Sequence, residues 1–540
     1  MLPGILKQGD VMAILNARLN NPALLLLPAA ALLAGIVACS EKQPGPSTAS
    51  GGAPQVCVNP APIPANFDYP QPAGTIEKWV AAGDQARART HGWYLWAALN
   101  SPAAGQPVWR SWCTSTQAFA GNTPSPSPSP SATIAAEDGT QLIGGTLAGP
   151  PTLPMRQRKF LNGTDPINFP YPPEYPLPAA VLKRYAKTQC IQPGTPGPTL
   201  ADGPTFENNG DIMVAGVTYD QAAYDWIRGK GLYQTSTLQN LLPKGQAQAE
   251  MPAMPRDSIV LKPMMWPVPK GGFVALPVWD DQQSDRGQYA GYENINMWPR
   301  AVALTTTPQA QVIPASVSFL HGVKYHALPL GPNVYQKPQV VGTDQFYHYE
   351  PNLATMDACD RAILDASAYW AYGRMFQPGD QLVMIAMHMI TKEQGAWTFQ
   401  SVWWHDKPDQ GPYAANRPNI PAAQAPGPWR HYLMTSTYGF PAVPRGTTWP
   451  VAYNPYIELA ADHPIRTNCM NCHHRAAAPN GNSSYLAKPG PGALDIYLQS
   501  DRIFNGLLKV DSMWAISDRV PVPKNTPTPS PTATSGPVGK

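Results

Sequence analysis

The densest chemistry in the chain is Cys469-Met470-Asn471-Cys472-His473. Two thiols at this spacing lie side by side on one helical turn, so both can form thioethers with the vinyl groups of one porphyrin. The histidine that follows offers an imidazole nitrogen to iron. C-x-x-C-H is accordingly the attachment pattern for c-type haem. Two other chemistries use the same residue types. Cys469, Cys472, His473 and His474 carry the donor atoms that zinc prefers, but a structural zinc site usually draws on a second, separated ligand pair. The sequence holds no other C-x-x-C. A redox-active thiol pair belongs at a helix N-terminus after a βαβ pattern, whereas the residues from Asn454-Pro455-Tyr456 to His463-Pro464 are irregular.

Covalent haem attachment in bacteria takes place outside the cytoplasm, so the motif needs an export signal. The N-terminus reads as one. Lys7 and Arg18 precede an apolar run from Ala23 to Ala38 that is too short and too Ala-rich for a comfortable membrane span. It closes on Ile36-Val37-Ala38-Cys39, which resembles a bacterial lipobox, where small residues precede a cysteine that is lipidated and becomes the mature N-terminus. An uncleaved anchor is the competing reading. Asp10 is out of place in a positive n-region and points to a start at Met12. Export also implies an oxidising compartment for Cys57, Cys113, Cys190 and Cys359. Four thiols allow three pairings, and the sequence does not choose among them. Cys359, inside a helical pattern, reads equally well as a simple buried thiol.

Lys plus Arg number 38 against 35 acidic residues, so no charge excess argues for nucleic acid or a strongly anionic partner. Only 14% of residues are charged while Pro reaches 65 and Trp 16, a composition suited to strands, turns and ordered loops. Thr75 can cap a helix with Ile76, Trp79 and Val80 on one face. Trp93, Trp96, Trp109 and Trp112 follow, as a sugar-binding face, as rings flanking a haem or, more commonly, as core. Prolines break every pattern from Thr140 to Gly210, which predicts surface loops.

Strands are predicted at Ile212 to Val217, Ile259 to Trp266, Phe273 to Trp279, Trp298 to Thr305 and Val317 to Tyr325, with a helix from Tyr219 to Arg228. A longer helix runs from Met356 to Tyr372, capped by Thr355. Gln381 to Ile390 and Trp397 to Trp404 form the clearest hairpin, joined by the polar turn Thr391-Lys392-Glu393-Gln394-Gly395. A run this apolar on both faces belongs in the middle of a sheet. His388 sits in it on the face of Met384 and Ala386, as a candidate ligand or acid-base group or as a bonded core histidine. His405 and Asp406, at the end of the second strand, should open onto loops, with their side chains on opposite faces.

With its lipobox and single haem motif, the chain resembles the c-type cytochromes of Gram-negative bacteria, specifically over residues 36–39 and 469–473. The resemblance implies one covalent haem c, Cys39 as lipidation site, a redox partner protein, and, because Ser40 follows the cysteine, the periplasmic side of the outer membrane. It also implies a methionine ligand after the motif. Met513 is the candidate, with Asp501 to Val510 as the intervening helix, although Asp511-Ser512-Met513-Trp514 departs from the usual ligand loop. His388, His405, His463 or an open site are the alternatives for the second axial position.

The expected architecture is α+β, mainly β: a strand-rich, sandwich-like body with a small C-terminal haem c segment and disordered linkers. The divisions are a lipoprotein signal at 1–38, a flexible tether at 39–54, a short Trp-rich unit at 55–121, a Pro/Ser linker at 122–139, the body at 140–452, the haem segment at 453–520 and a disordered tail at 521–540. The function expected is one-electron transfer by a membrane-tethered cytochrome. A haem-dependent oxidoreductase and a binding lipoprotein with structural or sensory haem are the alternatives. Replacing Cys39 with Ser should move the protein from the membrane fraction to the soluble fraction; retention on membranes would contradict the lipobox.

Overall fold

The computed structural model describes residues 57–121, 175–279, 300–307, 339–438, 452–458, 468–479 and 504–522, less a few positions, together with 132–135, 141–144, 329–331, 334–335 and isolated residues such as Trp298. Cys39, the tether, the Pro-Ser repeat, the strand expected at Val317 to Tyr325, His463 and the tail from Asn525 lie outside the described residues.

One eight-stranded antiparallel sheet organises the chain. Its strands are β1 (Cys113–Thr114), β2 (Val214–Ala215), β3 (Thr218–Tyr219), β4 (Ile259–Val268), β5 (His348–Tyr349), β6 (Gln381–Thr391), β7 (Thr398–Trp404) and β8 (Tyr432–Tyr438). The order is β8-β7-β6-β4-β3-β1, with β5 beside β6 and β2 beside β4. The hairpin read from sequence is therefore at the centre, where a strand that is apolar on both faces buries both. Pro263 interrupts β4 without breaking the sheet. It falls in the gap between β3, which pairs with Val260 and Leu261, and β2, which pairs with Met264 and Met265, so its missing N–H removes no ladder bond there.

The first face carries the larger core. Helix α1 (Gln85–Leu99) brings Trp93 and Trp96 onto it, and Trp109 and Trp112 follow from the adjoining turn. All four indoles are buried, and each N–H has an acceptor: Ala415 O, Trp429 O, Asn100 Oδ1 and Ala61 O at 2.8 to 3.1 Å. They are core, not an exposed ring platform. Close approach of α1 to the sheet depends on Gly92, where a Cβ would meet Gln400 Cγ at 3.0 Å and Met434 Cε at 3.2 Å. Helix α2 (Ala358–Tyr372) packs against β4 and against a small sheet of Val274–Val278, Arg300–Thr305 and Gln339–Gly342. The strand-rich α+β architecture is thus realised as one large and one small sheet sharing a core, and the Trp-rich stretch belongs to that core. A second core lies around Val260, Ile390 and Phe399 and takes in the C-terminal segment.

Several expectations are corrected. Residues 140–210 are not loops throughout, because Gln141–Gly144 pairs with Ala132–Ala135, Ala179–Tyr185 is helical, and Ile191–Gln192 pairs with Thr199–Leu200. The cap of α2 is Asp357, whose carboxylate accepts from Cys359 N at 2.7 Å, rather than Thr355, and Gly74 rather than Thr75 is the cap position of the short helix Thr75–Ala81. The helix expected at Asp501 to Val510 is absent from its described part, where Leu508–Lys509 is a strand, pinned by pairing on both sides. Cys359 is not a lone buried thiol.

The four cysteines pair as Cys57–Cys113 and Cys190–Cys359. The first ties the N-terminal stretch to β1 and the second ties α2 to a segment 169 residues earlier. Constraining so long a loop restricts the unfolded chain strongly. Replacing Cys190 and Cys359 together with Ala should lower unfolding free energy by about 2–5 kcal/mol, measured by urea denaturation.

Candidate functional site

The motif occupies a helix of five residues, Cys469–His473. Such a helix is far too short to hold itself in water, so its position is set by what surrounds it. Asn468 donates from Nδ2 to Thr437 Oγ1 of β8 at 2.9 Å and accepts from Met470 N at 3.0 Å, capping the turn from its own side chain. The Thr437 hydroxyl also approaches Met470 Sδ at 3.6 Å, and Cys469 Sγ lies 3.4 Å from Ala452 O. Beyond the helix, Ala477–Ala478 pairs with Leu508–Lys509, which in turn pairs with Ala249–Glu250. The segment is thereby held to β8 at its start and within a separate three-stranded sheet at its end.

A buried ion pair completes the frame. Lys392, in the hairpin turn, meets Asp511 at 2.6 Å, and the second oxygen of Asp511 accepts from Met254 N at 2.9 Å. Asp511 and Ser512 both take left-handed backbone conformations, at φ 48° and 64°. For residues other than glycine each costs on the order of 1–3 kcal/mol, and such conformations persist where surrounding contacts over-determine them. The result is that the Ser512 carbonyl faces the motif. His473 donates to it from Nδ1 at 2.9 Å.

This bond fixes the tautomer, leaving Nε2 with the lone pair. Burial is the main cause that lowers His473 to about 4, with the charges of His388, His474 and Lys262 acting in the same direction. His474 is likewise lowered to about 4 by burial. The His473 ring rests against Phe399 of β7, centroids 5.0 Å apart. A neutral imidazole, held through Nδ1 and presenting Nε2, has the chemistry a metal-ligating histidine needs.

Phe399 connects the motif to a polar patch on the sheet. Ile390 pairs with Phe399, and two residues on, on the same face, His388 pairs with Ser401 and with Lys262. His388 Nδ1 lies 2.6 Å from Ser401 Oγ, and its Nε2 lies 3.3 Å from Glu458. Asn454 donates to Ser401 Oγ at 2.8 Å and to Val402 O at 2.9 Å, so the turn 454–458 that carries Glu458 is anchored on β7. Folding therefore brings His388, proposed from sequence as a candidate, to the face on which His473 packs. It is bonded there on both nitrogens.

The other sequence candidates fall differently. His405 is buried, with Nε2 donating to Trp279 O at 3.0 Å and Nδ1 accepting from Lys407 N at 2.9 Å. It lies where β7 gives way to a loop, as expected, but is buried with both ring nitrogens bonded. Asp406 is not on the opposite side of a strand from it. Strand β7 ends at Trp404, and beyond it the two side chains approach to 3.3 Å. Met513 is buried beside the motif helix in the second core, directly after the carbonyl that receives His473. The side-chain position of Cys472 is not described. Lys262, Ser401, Glu458 and Ser512 were not singled out from sequence. Strand alternation could have placed Lys262 and His388 on faces, but only cross-strand register puts them together.

Among the described residues no group of three or more His, Cys, Asp or Glu side chains is placed to hold a metal ion. Haem c asks less of the chain, a single imidazole besides the two thiols, and the donor set around His473 fits that requirement. No known protein family, curated protein or solved structure matches this chain.

Both depressed imidazoles make a prediction about acid stability. Between pH 4 and 6.5 the unfolded chain binds protons at His473 and His474 that the folded chain excludes. Their contribution is therefore complete above about pH 6.5 and is lost as pH falls toward 4. Buried carboxyls act in the opposite sense, since Asp211 and Asp518 are raised to about 7 by burial. The comparison must accordingly be with a variant. In the haem-free protein, His473→Gln/His474→Gln should lose less stability between pH 6.5 and 4.5 than the parent does, as followed by urea midpoints.

Proposed function

We propose that this protein carries one covalent haem c, with thioethers to Cys469 and Cys472 and His473 as proximal iron ligand, and that it transfers single electrons. The observation that carries the reading is the His473 Nδ1 bond to the Ser512 carbonyl, which holds a neutral imidazole in the ligating tautomer at the end of a C-x-x-C-H helix. Bound there, the haem supplies a one-electron iron couple. The chain contributes the fixed imidazole, an apolar wall at Phe399 and an enclosing segment latched by Lys392 and Asp511. Two disulfides suit the oxidising compartment where such haem is attached. Together with the lipobox-like sequence they favour a protein tethered by lipid on the periplasmic side of the outer membrane, working with a redox partner protein.

Met513 follows the carbonyl that holds His473 Nδ1, whereas a haem iron would take the other ring nitrogen, so this placement does not favour Met513 as a second ligand. In an electron carrier His388 would be the imidazole on the sheet face able to serve as second ligand, on giving up its contact with Ser401 or Glu458. The same residue favours a second reading. A histidine backed by Glu458 and Ser401 beside an open iron site would suit haem-dependent oxidation with His388 as acid-base group.

Made with a working haem-maturation system, the protein should give a haem-staining band after denaturing electrophoresis. Cys469→Ala/Cys472→Ala should abolish it, and an unstained parent would remove the reading. The ferrous spectrum separates the two functions. An electron carrier with both axial positions filled binds no carbon monoxide within mixing, whereas an oxidoreductase with an open site does.

A further inference from the structure

One charged group on the sheet face forms no ion pair among the described residues. Lys262 is the single half-buried residue in a ten-residue strand whose other members are all buried, Ile259–Val268. Lysine in such a strand is costly, because its ammonium loses hydration on entering an apolar sheet. Its charge is felt by His473, Asp202, Asp211 and Asp518. Among the described residues, however, no carboxylate comes within the 4.0 Å of an ion pair with it. The neighbouring acids are engaged elsewhere. Asp202 faces Arg519 at 3.4 Å and accepts from Asn208 N, and Asp211 accepts from Asn209 and Met213 N. Burial further holds Asp211 and Asp518 near 7, so they are only partly charged at neutral pH.

Haem brings two carboxylates of its own. The propionates leave the porphyrin edge opposite the pyrroles that bear its vinyl groups and need either water or a cation. We propose that the Lys262 ammonium is the counter-charge of a haem propionate. The assignment rests on the haem reading above and deepens it. Lys262 pairs in register with His388, on the face where Phe399 supports the His473 ring, so a cation and the motif share one surface. It also gives a partner to a lysine that no described carboxylate pairs with directly, at the one half-buried position of an apolar strand. Lys262 would act through the propionate and not on iron, which makes it a positioning residue.

The experiment uses the full haem-loaded chain with Lys262→Gln and Lys262→Arg. Removing a positive charge beside the haem favours the ferric state, so the Gln variant should show a lower midpoint potential by spectroelectrochemistry. A three- to tenfold loss in electron affinity is expected, roughly 30–60 mV at 59 mV per decade. Its propionate bending mode in resonance Raman should also move. The Arg variant should keep the parent potential. A merely structural lysine would leave the Raman mode in place, and an unmoved mode with an unmoved potential overturns the proposal. If the Gln variant fails to accumulate, the Arg variant decides: its altered donor geometry should shift the propionate mode, and an unchanged mode overturns the assignment. A parent chain without haem stain would overturn both readings, whereas a stained parent with an unaffected Gln variant overturns this one alone.

Discussion

The hydrogen bond from His473 to the Ser512 carbonyl joins two segments that sequence separates by the whole width of the C-terminal region. Neither is stable alone. The motif helix has five residues, and the 511–512 turn sits in backbone conformations that side-chain-bearing residues avoid. What makes them compatible is the Lys392–Asp511 ion pair, which clamps the strained turn to the hairpin of the main sheet. A buried ion pair adds little net stability when it replaces apolar contact, but breaking one side of it is expensive. Its effect here is positional: it fixes where a carbonyl points, and that carbonyl sets which imidazole nitrogen is available.

The hairpin that supplies Lys392 also fixes the other end of the molecule. Its turn is polar yet buried, and Glu393 accepts from Gln71 N and meets His91 of α1 at 3.0 Å. Thr391 bonds to both Glu393 and Thr398. A polar turn inside a protein is tolerated only when its groups are satisfied, and here they are satisfied by the N-terminal helix on one side and by the C-terminal segment on the other. The central strand pair therefore holds both cores in register. Through it the large first core, with its tryptophans and disulfide-linked α2, becomes the rigid support for a small site.

The two faces of the central strands divide their labour by alternation. Met387 and Met389 point into the large core, while His388 and Ile390 point to the second, and a shift of one residue would exchange them. Lys262, His388 and Ser401 form one polar row across three neighbouring strands. Its members are reached from outside by Asn454 and Glu458, so the row is not an isolated defect in a core but the floor beneath the motif segment.

Much of this was legible in the sequence because its causes are local. The C-x-x-C-H spacing, the apolar central hairpin and the long helix near residue 360 depend on neighbours a few positions apart, and period and capping residues report them directly. The short ladders between 132 and 200 were missed because two-residue pairings leave no periodic trace. The cysteine pairings, the burial of His405 and the strand at Leu508–Lys509 depended on partners far along the chain, against which local propensity is weak. The site divides in the same way. The thiols and His473 of the proposed haem site were read from sequence alone, since the covalent chemistry proposed for them constrains their spacing. Only the tertiary structure decided that Ser512 orients the imidazole, that Met513 is buried in the second core, and that His388 and Lys262 share a face with Phe399, because hydrogen bonds and sheet register act between residues that the chain must fold to bring together.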